Sequence, residues 1–164
     1  PYYLAYSSKK FGYNPKLILS GRKLNNDVVK DFYLRIKKIL IKFNKKKILF
    51  IWASFKENCN DIRNSKVIEL AEKLNKDFNL DLFDSYVDTK MLIKNSSCRV
   101  ITKIDDKKYD AIIIANKHSY VEKMGTKIIK KKLKNKEGLI LDLKNTFNLY
   151  QNLLWLTPQI IKPY

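Results

Sequence analysis

The sequence predicts an α/β fold: a Rossmann-like parallel sheet with helices on both faces, preceded by a long amphipathic connecting helix. Three observations carry that expectation. Residues 48–52, Ile-Leu-Phe-Ile-Trp, are apolar without alternation, the pattern of a strand buried on both faces. Strand-like and helix-like stretches then alternate as far as residue 145, which implies right-handed crossovers and a doubly wound sheet. Before them, Val28, Val29, Phe32, Tyr33, Ile36, Ile39, Leu40 and Phe43 recur at three- and four-residue steps, one apolar stripe on a helix of residues 25–43.

Taken in order, residues 1–21 read as a short helix and a turn, with Gly12, Pro15 and Gly21 as breakers. Tyr2, Tyr3 and Tyr6 suit either stacking on a sugar or packing against a further domain, and packing is the reading preferred. Asn25 or Asn26 is the expected cap of the helix over 25–43, with Asp27 near its positive end. Strands are expected at 47–53, 79–84, 98–103, 109–115 and 138–142, and helices at 63–77, 87–95, 118–124 and 125–135. Asp61 or Asn64 is the expected cap of the helix over 63–77. Gly138 falls where a helix-to-strand connection wants glycine. The apolar, aromatic stretch 149–164 receives no element, since Pro158 and Pro163 block a long helix. Two segments follow: a helical one, 1–44, and an α/β domain, 45–164.

Composition narrows the classes. At 164 residues with 45% hydrophobic side chains, the chain can bury a core without staples. Cys59 and Cys98 are neither a disulfide framework nor a metal set, so no metal site is expected and a reducing cytoplasm is the simple setting. No apolar run is long enough to span a bilayer. Lys and Arg number 34 against 16 acidic residues, a net charge of +18, which fits a nucleic-acid or anionic-surface partner. Yet the lysines are spread through every helix beside abundant Asn and Ile, the bias of an AT-rich genome. Only Lys123–Lys136 is dense, so a solvated basic face is the better reading and neither nucleic acid nor membrane is an expected partner. Starting at Pro1, the sequence reads as part of something longer.

The chemistry-bearing residues gather where strands end. Lys56, Asp61, Arg63, Asn64 and Ser65 lie between the first strand of the sheet and its helix, the place where open α/β sheets bind ligands. Two cations there, beside a helix N-terminus, point to a phosphate-bearing ligand. A solvated loop in which Lys56 and Arg63 pair with Glu57 and Asp61 fits the same pattern. Lys144 ends the last predicted strand. His118, the one histidine, follows the strand at 109–115 without an evident partner and is expected to be structural.

The string FKENCNDIRNSKV (55–67) resembles a signature of the nucleotide-sugar 6-dehydrogenases, the UDP-glucose/GDP-mannose dehydrogenase family. PYYLAYSSKKFGYNPKLILSGRKLNND, LDLFDSYVD, YDAIIIANKH and LILDLKN resemble further family stretches in the same order, over about nine-tenths of the chain. The similarity is greatest to members oxidising UDP-N-acetylhexosamines for surface polysaccharides. It implies that Phe55, Lys56 and Lys144 contact a UDP-sugar and that Arg63 approaches NAD, which is bound mainly by an N-terminal domain. The helix over 25–43 is then the connecting element of a homodimer. The catalytic cysteine and the glycine-rich fingerprint belong upstream of Pro1, so no residue here is assigned a catalytic role and the chain alone is expected to be inactive. The sequence departs from the family at Trp52, where glycine usually ends the strand, at Asn60, and at Ser85–Tyr86 in place of Pro-Trp. Trp52 is expected to crowd the nucleotide. The alternatives are a basic nucleic-acid-binding module, or a structural or dimerising remnant of a diverged dehydrogenase.

Overall fold

The computed structural model describes residues 2–54, 56–147 and 159–161. Two helices, α1 (Tyr2–Lys10) and α2 (Lys16–Lys42), lead into an alternation of β1 (Lys47–Ile51), α3 (Lys66–Asn75), β2 (Asn79–Phe83) and α4 (Thr89–Asn95). It continues through β3 (Arg99–Val100), β4 (Ala111–Ile114), α5 (Ser119–Lys131), β5 (Leu139–Asp142) and β6 (Gln159–Ile161). The strands form one sheet in the order β3-β2-β1-β4-β5-β6. All pairs from β3 to β5 are parallel, and β6 returns antiparallel along β5. The apolar Ile160 and Ile161 thus occupy an edge of β5 that a five-stranded sheet leaves open.

Period-two strand geometry explains how an unalternating apolar run is used. Ile48, Phe50, Ala111, Ile113, Leu139 and Leu141 face Val29, Ile36 and Leu40 of α2, Leu70 and Leu74 of α3, and Leu92 of α4. Leu49, Ile51, Ile112, Ile114 and Ile140 face the opposite side, with Ile129 of α5 and Leu133 beyond it. Both faces are covered, as the sequence predicts. Because the Ile36–Leu40 stripe is spent on the chain's own sheet, the apolar residues of α2 that remain exposed are Leu17, Leu24, Val28, Leu34 and Ile41.

Several boundaries differ from expectation. Helix α2 begins at Lys16, nine residues before Asn25, behind its N-cap Pro15, whose carbonyl accepts the first helical bond from Leu19 N–H at 3.1 Å. Asn25 and Asn26 are interior, and Asn26 Oδ1 instead accepts from Lys66 Nζ at 3.1 Å. The cap of α3 is Ser65, whose hydroxyl accepts from Ile68 N–H, not Asp61 or Asn64. The two helices expected at 118–124 and 125–135 form α5 with a break at Gly125, where φ is 67° and ψ 165°. Gly138 owes its place to crowding: a Cβ there would lie 2.8 Å from the Leu133 side chain. No helix among the described residues is long and apolar enough to cross a membrane.

One carboxylate interrupts the apolar face of β2. Asp81 is fully buried, with Arg99 bound to it through two bonds of 2.8 and 3.0 Å, Lys47 Nζ at 2.8 Å and Tyr109 OH at 2.9 Å. Burial opposes its charge, but the bonds from Arg99, Lys47 and Tyr109 prevail and hold its pKa below the ordinary range. A carboxyl depressed in this way contributes stability above its unfolded pKa of about 3.9, lost as pH falls through the native value. Asp81→Ala strands a partly buried ammonium and a buried phenol, and should destabilise the fold by about 2–4 kcal/mol while flattening the acid limb below about pH 4. Urea unfolding at several pH values measures both; a loss below about 1 kcal/mol contradicts the account.

Candidate functional site at the carboxyl rim

The strand order reverses between β1 and β4, so the crevice of this sheet opens above their carboxyl ends. One wall is the loop of residues 52–65 after β1. Trp52 leaves the strand at φ 76°, and its N–H continues the ladder to Phe83 C=O at 2.8 Å. That turn sends the indole down into the core, where it is fully buried against Phe83, Tyr86 and His118. The expectation that Trp52 crowds the nucleotide position is corrected by this backbone turn.

Asp84, immediately after β2, is 6% exposed and ties two loops together. Its Oδ2 accepts from the N–H groups of Ala53 and Ser54 at 2.9 and 3.1 Å. Its Oδ1 accepts from those of Tyr86 and Val87 at 2.8 and 3.3 Å. Ser65 Oγ donates to Ala53 C=O at 2.7 Å, which docks the N-terminus of α3 on the same loop.

The segment after β4 forms the other wall. Asn116 Nδ2 donates to Ser54 C=O at 3.3 Å. His118, fully buried, lies 2.8 Å from Ser54 Oγ through Nε2 and accepts the Asn58 N–H at Nδ1, 2.9 Å away. Its ring stacks on Tyr86 at 4.7 Å with 19° between planes. Burial pushes its pKa below the ordinary value, against the Asp84 and Glu57 carboxylates, which favour the charged form. Beyond β4, the turn after β5 is shaped by Asp142, which accepts from Lys144 and Phe147 N–H, both at 3.2 Å. Thr146 Oγ1, buried in that turn, has no hydrogen-bond partner among the described residues.

Of the residues singled out from sequence, Phe55 lies outside the described residues. Lys56 and Lys144 are exposed, on the loops after β1 and β5. With only β4 between those strands, their ends lie about 10 Å apart. Arg63 is on the same rim before α3, its side chain 81% exposed. Its Nε and Nη2 bind Asp61, and this guanidinium holds the Asp61 carboxyl at about 2. Asp61 therefore orients Arg63 rather than capping the helix. Sequence reasoning did not single out Ser54, Asn58, Asp84, Asn116 or Asp142 as site residues. The available signal was position: polar side chains directly after buried apolar strands.

Replacing Trp52 by glycine separates two effects. A left-handed φ costs a bulky residue about 1–2 kcal/mol, whereas deleting a buried indole costs about 3–5 kcal/mol. Trp52→Gly should therefore destabilise the chain by about 2–3 kcal/mol in denaturant unfolding; a neutral or stabilising change contradicts the cavity argument.

Comparison with known proteins agrees with this geometry. Residues 51–149 match the family model described as UDP-glucose/GDP-mannose dehydrogenase family, UDP binding domain. The chain is 34% identical over 149 residues to the UDP-N-acetyl-D-glucosamine 6-dehydrogenase of Salmonella typhi, covering 88% of this chain and 35% of that protein. It is 30% identical over 151 residues to the UDP-N-acetyl-D-mannosamine dehydrogenase of Methanocaldococcus jannaschii, covering 90% of this chain and 33% of that protein. The chain thus spans about a third of the length of the curated relatives it matches. Among solved structures, the UDP-N-acetyl-mannosamine dehydrogenase Cap5O from S. aureus shares the fold with a TM-score of 0.69 at 23% identity, over 89% of this chain and 32% of that one. With its sheet, its rim loops and the greater part of its length matched, the chain belongs to the UDP-glucose/GDP-mannose dehydrogenase family, through that family's UDP-binding domain.

Proposed function

We propose that residues 45–164 hold the nucleotide end of a UDP-N-acetylhexosamine, or of UDP-glucose, for an NAD-dependent 6-dehydrogenase making a UDP-uronic acid for surface polysaccharide. The observation that carries this reading is the placement of Lys56 and Lys144 on one rim of the sheet, on loops whose strands are separated only by β4, in a domain matched to a UDP-binding family. A diphosphate between them gains charge-assisted hydrogen bonds, each contributing about 1.5–3 kcal/mol where water is excluded. The orphaned Thr146 hydroxyl offers a further polar contact beside Lys144.

Arg63 faces the cofactor. Nε and Nη2 are held by Asp61, leaving Nη1 for an anionic group, so the residues present fit a single phosphate contact. They do not build a pyrophosphate cradle, since the glycines are Gly12, Gly21, Gly125 and Gly138, none in a rim loop. When bound, NAD supplies the hydride acceptor; these residues bind and orient the substrate. Neither cysteine here is assigned the covalent step: burial pushes the Cys98 thiol up to about 12, and Cys59 accepts the Asp61 N–H within the loop. In a reducing cytoplasm both remain thiols. Residues 1–44 connect this domain to the remainder of the enzyme. Dimerisation through α2 uses its outer side, with Leu34 and Ile41 seven residues apart on one face.

Calorimetric titration of the chain with UDP tests the reading. Binding is expected, and Lys56→Ala should weaken it about tenfold or more through one lost charge-assisted contact. A folded sample giving no heat up to about millimolar UDP overturns the site; unchanged affinity in the variant removes Lys56 from it.

A further inference from the structure

Lys56 is the middle residue of a five-residue loop whose two ends meet on one side chain. Ser54 and Asn58 both bond to the His118 ring, Ser54 Oγ at Nε2 and the Asn58 N–H at Nδ1. A backbone N–H only donates, so Nδ1 is the bare acceptor and Nε2 carries the ring proton. Nε2–H therefore donates to Ser54 Oγ, whose own hydrogen goes to the Lys56 carbonyl oxygen at 3.2 Å. The ring cannot swing away: its centroid lies 4.7 Å from those of both Trp52 and Tyr86. The next residue, Ser119, adds a second tie, its N–H and hydroxyl donating to Asn58 Oδ1 at 3.1 and 3.0 Å.

We propose that His118 is a positioning residue, whose neutral imidazole staples the 54–58 loop across the crevice and so holds Lys56 where it meets the diphosphate of a sugar nucleotide. This rests on the nucleotide-binding reading of Lys56. Protonation puts a hydrogen on Nδ1 opposite the Asn58 N–H, donor against donor, and opens one end of the staple. The titratable groups that act on the ring are Glu57 on the loop after β1 and Asp84 and Tyr86 after β2; Lys117 adjoins His118, and Lys56 adjoins Glu57, only in sequence. Glu57 and Asp84 favour the imidazolium, and burial outweighs them. The ring is thus neutral above the ordinary histidine value of about 6.5, and the staple fails as pH falls below that, through the lower native pKa.

The probe is UDP-N-acetylglucosamine, whose diphosphate does not titrate near neutrality. Its Kd is measured at about pH 8 and about pH 5 for the full chain and for two variants. Wild-type affinity is expected to drop about tenfold on acidification, and His118→Ala to bind about tenfold more weakly at the higher pH with little further pH dependence. His118→Asn, whose amide oxygen accepts in place of Nδ1, is expected to recover part of the loss. Unchanged affinity and an unchanged pH profile in His118→Ala overturn the proposal. Should that variant fail to fold, hydrogen exchange of the Asn58 amide in the wild type at about pH 8 decides it: protection supports the staple and its absence overturns it. If the wild type binds no sugar nucleotide, the reading of Lys56 has failed, and the staple is decided by hydrogen exchange of the Asn58 amide. Protection at about pH 8 that collapses at about pH 5 supports it, and absence of protection at the higher pH overturns it.

Discussion

The rim depends first on the carboxylate of Asp84. Strands β1 and β2 pair in register up to Ile51 and Phe83, so the chain leaves the sheet at two adjacent points with the ladder about to end. Backbone N–H groups released there must find acceptors or lose their hydration without recompense. A single buried carboxylate takes four of them, two from each loop. Charge-assisted bonds of this kind are the strong ones, and sharing one acceptor couples the two loops more tightly than separate bonds could. The loop that presents Lys56 therefore inherits its position from β2, not only from β1.

Beneath the rim Asp84, Ser54, His118 and Asn116 are buried and hydrogen-bonded, while the cations above them are exposed. Asp84, Ser54, His118 and Asn116 are each at most 6% exposed; Lys56, Arg63 and Lys144 are all exposed. That division suits a binding edge, since buried networks fix geometry and exposed charges meet the ligand. With a net charge of +18, anions are drawn to much of this surface, and screening limits each contribution to about 10 Å at ordinary salt. Generic attraction does not distinguish one lysine from another. Placement by a rigid loop does.

The architecture was legible because it follows from local apolar patterns. The run 48–52 and the stripe 28–43 each commit many side chains to burial, and neither admits a second fold that buries them as well. What escaped was set by contacts between segments far apart in sequence. The start of α2 depends on Pro15, while Asn25 and Asn26 look like caps only when their helix is taken to begin late. Ser65 won the cap of α3 over Asp61 and Asn64 because its hydroxyl also reaches Ala53 C=O, a contact that no local pattern announces. His118 appeared partnerless because Ser54 and Asn58 lie about sixty residues away. The strand β6 was missed because three residues carry no periodicity. Trp52 misled for a different reason: its identity suggested a plug at the crevice, and its left-handed backbone put the indole in the core.

The account stands on the crevice between β1 and β4 as the place where a sugar nucleotide's diphosphate is held. Amide shift mapping of the nitrogen-15-labelled chain during titration with UDP tests this most directly. The account predicts that the perturbed amides gather in residues 53–58, 84–87, 116–119 and 142–146. Perturbations gathered instead along the lysines of 127–136, at the far end of the sheet, would show that UDP only samples a basic surface and would contradict it.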